Sequence, residues 1–295
     1  MKRIIVPGLL ILTGLLSGTA SAGALKVLVS IAPQKYFVQK VGGDRVDVQV
    51  MIPPGASPHT YEPKPGQMTA LTQAGLYLAI GVEFEEVWLK RFKGLNPNLT
   101  VVHLDKGIRK REMEGHPPDD EDHRETKDNN RHDKGLDPHV WTAPPEVKII
   151  ARNILAALVQ ADPSHSAGYQ ANFDKFISQI EALDAELKTI FQGREGRAFM
   201  VYHPSWGYFA QAYGLKQAPV EVEGKNPKPA QIKKLIDYAR KHGIKVIFVQ
   251  PQFSAKAAEA IAGSIGGQVV MADPLAENWE QNLRQQAQKF KMAFK

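Results

Sequence analysis

Short runs of β-branched and aliphatic residues alternate along the chain with stretches whose apolar positions recur every three or four residues. That alternation builds parallel sheets with crossover helices, an α/β fold. Residues 25–31 and 46–52 read as the first strands, with a helical stretch at 34–41 between them; 76–80 and 100–104 continue the series around a helix over 83–92. A second set comprises strands at 198–202, 246–249 and 268–271. Between them, 229–242 carries Ile232, Leu235, Ile236 and Ala239 on one face and stops at Gly243, while 255–265 opens at Ser254 and closes at Gly266.

Two longer helices separate the sets. The first, 144–159, has Val147, Ile150, Ala151, Ile154, Leu155 and Leu158 on its apolar face. The second opens at Asp162-Pro163, a cap followed by proline in the first turn. It repeats apolar residues from Tyr169 through Phe176, Ile180, Leu183 and Leu187 to Phe191, and stops at Gly193. At 1.5 Å per residue it is roughly 43 Å long. A strut joining two lobes accounts for that length, as does a long edge helix of one larger domain. The division expected is a leader at 1–22, an N-terminal α/β lobe at 23–161, a linking helix at 162–192 and a C-terminal α/β lobe at 193–295.

The leader is read from Met1-Lys2-Arg3, the apolar run 4–16 and Ala20-Ser21-Ala22, which has the small-x-small form of a signal-peptidase site. The run is short for a membrane span and is broken by Pro7, Gly8 and Gly14. The mature protein is therefore expected to be exported, soluble and periplasmic. One segment inside the N-terminal lobe breaks the globular pattern: residues 116–134 contain no aliphatic or aromatic side chain but seven acidic residues, four basic ones, and His116, His123 and His132. Such a stretch cannot bury enough surface to offset its ordering entropy, so 114–135 is expected to be a disordered acidic loop.

Composition narrows the chemistry. The 295 residues include no cysteine, which excludes disulfides, thiolate metal clusters, cysteine nucleophiles and a lipid anchor on an N-terminal cysteine. The formal net charge of +6 is spread along the chain, and its densest charged run is acidic, so no nucleic-acid surface is implied. Neither a G-x-G-x-x-G turn nor a G-x-x-x-x-G-K-[ST] loop occurs.

Three further histidines stand in distinctive settings: Pro58-His59-Thr60-Tyr61-Glu62-Pro63, Asp137-Pro138-His139-Val140-Trp141 and Tyr202-His203-Pro204-Ser205-Trp206. His59 follows the second strand, His203 directly follows the fifth, and Asp273 follows the last. Carboxyl ends of strands line the ligand crevice of open parallel sheets. At least three imidazole or carboxylate groups, two of them from the C-terminal half, can thus point into one cleft. Each also has a plainer reading, a histidine bonded to a turn carbonyl or an aspartate capping a helix.

In their order along the chain, the leader, Pro-Gly-Ala-Ser-Pro-His59-Thr-Tyr-Glu-Pro, the acidic histidine loop, Asp-Pro-His139-Val-Trp, Tyr-His203-Pro-Ser-Trp-Gly-Tyr-Phe and Asp273-Pro-Leu resemble the periplasmic zinc-binding receptors (ZnuA-type) of bacterial zinc-uptake ABC transporters. The resemblance covers essentially the whole mature chain. It implies two Rossmann-like lobes joined by a rigid long helix, with the metal in the cleft between them. It further implies His59, His139 and His203 as ligands of one zinc ion and Asp273 as the fourth. His116, His123 and His132 become an accessory metal-collecting loop with a weaker zinc site. The implied partners are a membrane permease and its cytoplasmic ATPase, with the receptor itself a monomer. Gln250 departs from the family, which often has Glu there, and Glu62 is expected to serve structural hydrogen bonding.

Three imidazoles and one carboxylate suit tetrahedral zinc, whereas manganese prefers more oxygen ligands. Manganese receptors resembling this family tend to carry Glu where this chain has His203, so a manganese or mixed receptor is the alternative within the class. An exported zinc hydrolase would need an open coordination position and a general base, yet no His-Glu-x-x-His is present. The expectation is a binding protein, not an enzyme; an adhesin on the same fold is the remaining alternative.

Overall fold

The structure is a computed structural model that describes residues 23–115, 135–222 and 224–294. The leader at 1–22 and the histidine-bearing run 116–134 lie outside the described residues. Among those described, no helix is long and apolar enough to cross a membrane.

The first sheet is built from β1 (Leu25–Val29), β2 (Val46–Val50), β3 (Leu76–Ala79) and β4 (Thr100–His103), all parallel, in the order β2-β1-β3-β4. The second uses β5 (Ala198–Val201), β6 (Lys216–Pro219), β7 (Val246–Val249) and β8 (Gln268–Met271) in the equivalent order β6-β5-β7-β8. The two lobes thus share one topology. The crossovers are α1 (Ala32–Gly42), α2 (Pro65–Gln73) and α3 (Glu83–Leu95) in the first lobe, and α6 (Gly207–Ala212), α7 (Pro229–Lys241) and α8 (Lys256–Ser264) in the second.

Between the lobes run α4 (Pro144–Ala161) and α5 (Ser166–Phe191), the latter entered through a 3-10 turn at Pro163–His165. At 26 residues, α5 packs against α1 and α4 on one side and against α9 (Trp279–Ala293) on the other. Asp162 holds its entry: the carboxylate accepts from Ser164 Oγ, His165 Nδ1 and Tyr169 Oη, each at 2.7 Å. This is the strut geometry, and the edge-helix alternative falls.

Four elements had no counterpart in the hydrophobic pattern: β6, α2, α6 and α9. The Lys-Gln-Ala-Pro sequence of β6 lacks β-branched residues, and Pro219 is tolerated because this strand lies at the sheet edge. In α9 the buried Trp279, Leu283, Ala287 and Phe290 are diluted by polar residues, of which Asn282 and Gln286 are buried too.

One continuous buried cluster extends from Val29 and Phe37 in the first lobe through Ile154 and Leu183 of the paired helices to Phe199, Phe209 and Phe290 in the second. Two tryptophans stitch its cleft end: Trp141 Nε1 donates to Pro274 O (2.8 Å) and Trp279 Nε1 donates to Trp141 O (2.6 Å). A separate cluster under α7 and α8 serves only the outer face of the second sheet.

Candidate metal centre

The structure brings His59, His139 and His203 to one place between the lobes. One ring nitrogen from each lies within 4.8 Å of the others. His59 sits in the irregular segment after β2, where Ser57 shapes a turn by accepting the Tyr61 N–H on its carbonyl (3.0 Å) and the His59 N–H on its Oγ (3.3 Å). The Pro53-Pro54-Gly55 turn that starts this segment needs φ +82° at Gly55, a conformation natural to glycine.

His139 is held by its own sequence. Asp137 Oδ1 accepts both the His139 backbone N–H (3.0 Å) and the ring Nδ1–H (2.8 Å), and the His139 carbonyl accepts from Thr142. His203 leaves the end of β5, where Gln250 after β7 clasps its backbone, accepting from His203 N (3.2 Å) and donating to His203 O (2.6 Å). Gln250 is thus a backbone clamp and not a member of the histidine cluster. Phe253 lies nearly parallel against the His203 ring, with centroids 4.8 Å apart.

Every one of the three rings has a carboxylate on Nδ1. His139 has Asp137 at 2.8 Å, His203 has Glu221 at 2.8 Å, and His59 has Glu83 at 3.1 Å. With Nδ1–H donating outward, each Nε2 is left as a bare lone pair. His59 Nε2 and His203 Nε2 face one another at 3.3 Å. Two bare nitrogens at that distance repel, and a cation between them turns the repulsion into binding. Two ligands at about 2.0–2.1 Å from a tetrahedral zinc stand about 3.3 Å apart, so the spacing suits the ion. The carboxylate behind each imidazole fixes its tautomer and raises its basicity, as in carboxylate–histidine–zinc sites.

The electrostatics differ from ring to ring. At His203 burial outweighs the pull of Glu221, and its pKa is lowered. At His59 burial also acts downward, but the hydrogen bond and charge of Glu83 overcome it and the pKa is raised; Glu83 in turn is drawn down to about 2 against its own burial.

Asp273 lies beside the cluster without joining it: its Oδ1 accepts from Leu275 N at 2.9 Å and stands 3.5 Å from Gln252 Nε2. Its neighbours Pro274 and Leu275 line the same pocket as the three histidines. Glu62 is exposed and makes no hydrogen bond among the described residues; the carboxylate near His59 is Glu83 instead. Neither Glu83 nor Glu221 was singled out from sequence, since each is brought to its histidine only by the fold. Asp137 stood in the quoted motif, and its spacing two residues before His139 was the available signal.

The family model described as ZnuA, zinc-uptake complex component A, periplasmic, matches residues 27–293. The chain belongs to this family. The high-affinity zinc uptake system protein ZnuA of Bacillus subtilis (strain 168) is 30% identical over 263 residues, covering 88% of this chain and 81% of that protein. Among solved structures, a crystal structure of ZnuA superposes with TM-score 0.84 at 41% identity over 92% of this chain and 100% of the other. A ZnuA deletion mutant with zinc bound gives TM-score 0.82 at 42% identity over 92% of this chain and 98% of the other. The ZnuA family consists of solute-binding receptors and not enzymes.

Proposed function

We propose that this protein captures one zinc ion at His59, His139 and His203 and delivers it to the membrane permease of an ABC-type importer driven by a cytoplasmic ATPase. The carrying observation is that all three Nδ1 atoms are engaged by separate carboxylates, so that three Nε2 lone pairs serve one point. The three imidazoles are neutral ligands, while Glu83, Asp137 and Glu221 supply negative charge one bond further out. That arrangement draws in a dication without locking it behind direct carboxylate bonds. Nitrogen donors in this number favour zinc over manganese.

Asp273 completes the tetrahedron by turning its carboxylate away from the Leu275 N–H toward the ion. The leader at 1–22 exports the chain, the mature protein works in the periplasm as a monomer, and His116, His123 and His132 form a weaker collecting site. The test of the main reading is a chelator-competition titration with zinc and with manganese, together with zinc-edge X-ray absorption on the loaded protein. One tight zinc with a shell of three imidazoles is expected; tighter manganese than zinc, or a shell with fewer than three imidazoles, overturns it.

A further inference from the structure

The segment between β4 and α4 returns through a short antiparallel pairing. Glu112 bridges Leu136, Met113 N donates to Gly135 O (3.2 Å), and Asp137 N donates to Arg111 O (2.8 Å). This strap belongs in sequence to the first lobe but lies on the second. Arg111 N donates to Tyr208 Oη (3.2 Å), the same hydroxyl donates to Asp137 O (3.0 Å), and Gln217 Nε2 donates to Glu114 Oε2 (2.9 Å). Tyr208 belongs to α6 and Gln217 to β6.

Consecutive strap side chains take opposite partners. Lys110 pairs with Asp105 of the first lobe at 2.6 Å, over Gly81. Arg111 reaches instead over Gly207 of the second lobe, and a methyl group built on Gly207 would collide with its Nη1 and lie 2.8 Å from Asp137 Oδ2. Glycine at 207 is therefore what lets the guanidinium and the Asp137 carboxylate share one small space. Nη2 is tied to Glu114, whereas Nη1 is buried with no hydrogen-bond partner among the described residues. Asp137 is 1% exposed and is the carboxylate that holds both the backbone and the ring of His139.

We propose that Arg111 is a positioning residue of the metal centre: with its guanidinium lodged over Gly207 and tied to Glu114, it fastens the strap whose backbone bonds hold Asp137, the residue that orients His139, and so registers that histidine against the second lobe, which carries His203. The proposal deepens the zinc-receptor reading and rests on it. Arg111 touches no metal ligand directly, and its influence passes through Asp137. Removing the guanidinium unties the strap from Glu114 and loosens the backbone that holds Asp137, so His139 gains freedom and the ion dissociates faster. Changes to groups directly behind a metal-ligating histidine typically weaken metal affinity 10- to 100-fold; one step further out, a loss of about three- to tenfold is expected.

The test is Arg111→Met, which keeps length but removes charge and donors, beside Arg111→Lys, which keeps the charge. Zinc affinity and off-rate are measured by chelator competition. The imidazole nitrogens of the metal-free proteins are followed by 15N NMR. Expected are weakened zinc through a faster off-rate in Arg111→Met, a changed His139 signal with an unchanged His59 signal, and at least partial recovery in Arg111→Lys. Wild-type affinity and a wild-type His139 signal in a folded Arg111→Met protein overturn the proposal, as do equal losses in the two variants. Should Arg111→Met not fold, Glu114→Gln, which loosens the guanidinium's other hold, is expected to shift His139 in the same direction, and no shift there overturns it. If the wild type binds no zinc, the functional reading fails, while the metal-free His139 signal still decides the role of Arg111.

Discussion

Replacing Glu221 by glutamine removes one charge behind the metal centre while keeping the shape of the side chain. Glu221 is 5% exposed and its Oε1 lies 2.8 Å from His203 Nδ1. Through the ring and a zinc–nitrogen bond of about 2.0–2.1 Å, its charge stands about 7 Å from a bound ion. A single negative charge and a dication at that distance interact by about 5 kcal/mol at an effective dielectric of about 20. That figure is a ceiling, because glutamine retains a dipole and part of the hydrogen bond. Replacements directly behind metal-bound histidines typically cost 10- to 100-fold in affinity, equivalent to about 1.4–2.7 kcal/mol. The glutamine also has a choice of face. With its oxygen toward Nδ1 the tautomer survives; with its amide N–H₂ inward, the ring proton moves to Nε2 and the ligand is lost. Glu221→Gln is therefore expected to fall within the 10- to 100-fold range in chelator competition at pH 7.5, with near-UV circular dichroism showing the fold intact. An affinity within twofold of wild type in the folded variant would refute the claim that the outer carboxylates drive binding.

Acidification probes the rings one by one. Because Glu83 raises the His59 pKa while burial lowers that of His203, proton competition begins at His59 above the ordinary imidazole value of about 6.5; zinc affinity measured from pH 8 to 5 is expected to start falling there, and His59→Ala to lose that early phase. Away from the centre, burial raises Glu85 to about 7 although Ser30 and the Ile80 and Gly81 N–H groups bond it. Its folded pKa lies above the unfolded one, so stability is fullest below about 4.3 and declines as pH rises through 7, by about 4 kcal/mol in all. Urea melts at pH 5 and 8 are expected to show this decline in wild type and lose most of it in Glu85→Gln. For the proposed fourth ligand, Asp273→Ala is expected to weaken zinc about tenfold or more and add an exchangeable water to the ion; unchanged affinity would remove Asp273 from the proposed shell.

Much of the fold could be read from hydrophobic periodicity because the central strands are buried on both faces and announce themselves as apolar runs. β3 is buried at all four positions and β1 at its last three. The missed strand β6 is buried at its last three positions but fills them with Gln217, Ala218 and Pro219, which do not read as a β-branched or aliphatic run. In the same way, His59, His139 and His203 were visible as motif residues, but Glu83 and Glu221 were not. Those two come from the start of α3 and from just beyond β6, and no spacing rule relates either to its histidine. Only Asp137, two residues from His139, acts locally. The position of Asp273 after the last strand pointed only to the cleft, and its role as a ligand came from the family resemblance; the structure engages its Oδ1 with the Leu275 N–H, a detail that depends on one rotamer.

The shared core bears on how an ion is released. Hinge opening would part Trp279 from Phe37, whose rings stand 5.2 Å apart, and break the Trp141 and Trp279 hydrogen bonds across the cleft. An aromatic side chain buries about 150–250 Å², worth about 4–6 kcal/mol at about 25 cal/mol per Å², so exposing two or three costs about 8–18 kcal/mol. Moving the His59 segment costs far less. The His59 side chain is 28% exposed, Glu83 beside it is 46% exposed, and the turn that carries it depends on Ser57. His139 and His203, each 5% exposed, are fixed by Asp137, Gln250 and Phe253. The energetic balance therefore places His139 and His203 in the rigid frame and His59 at its exposed rim.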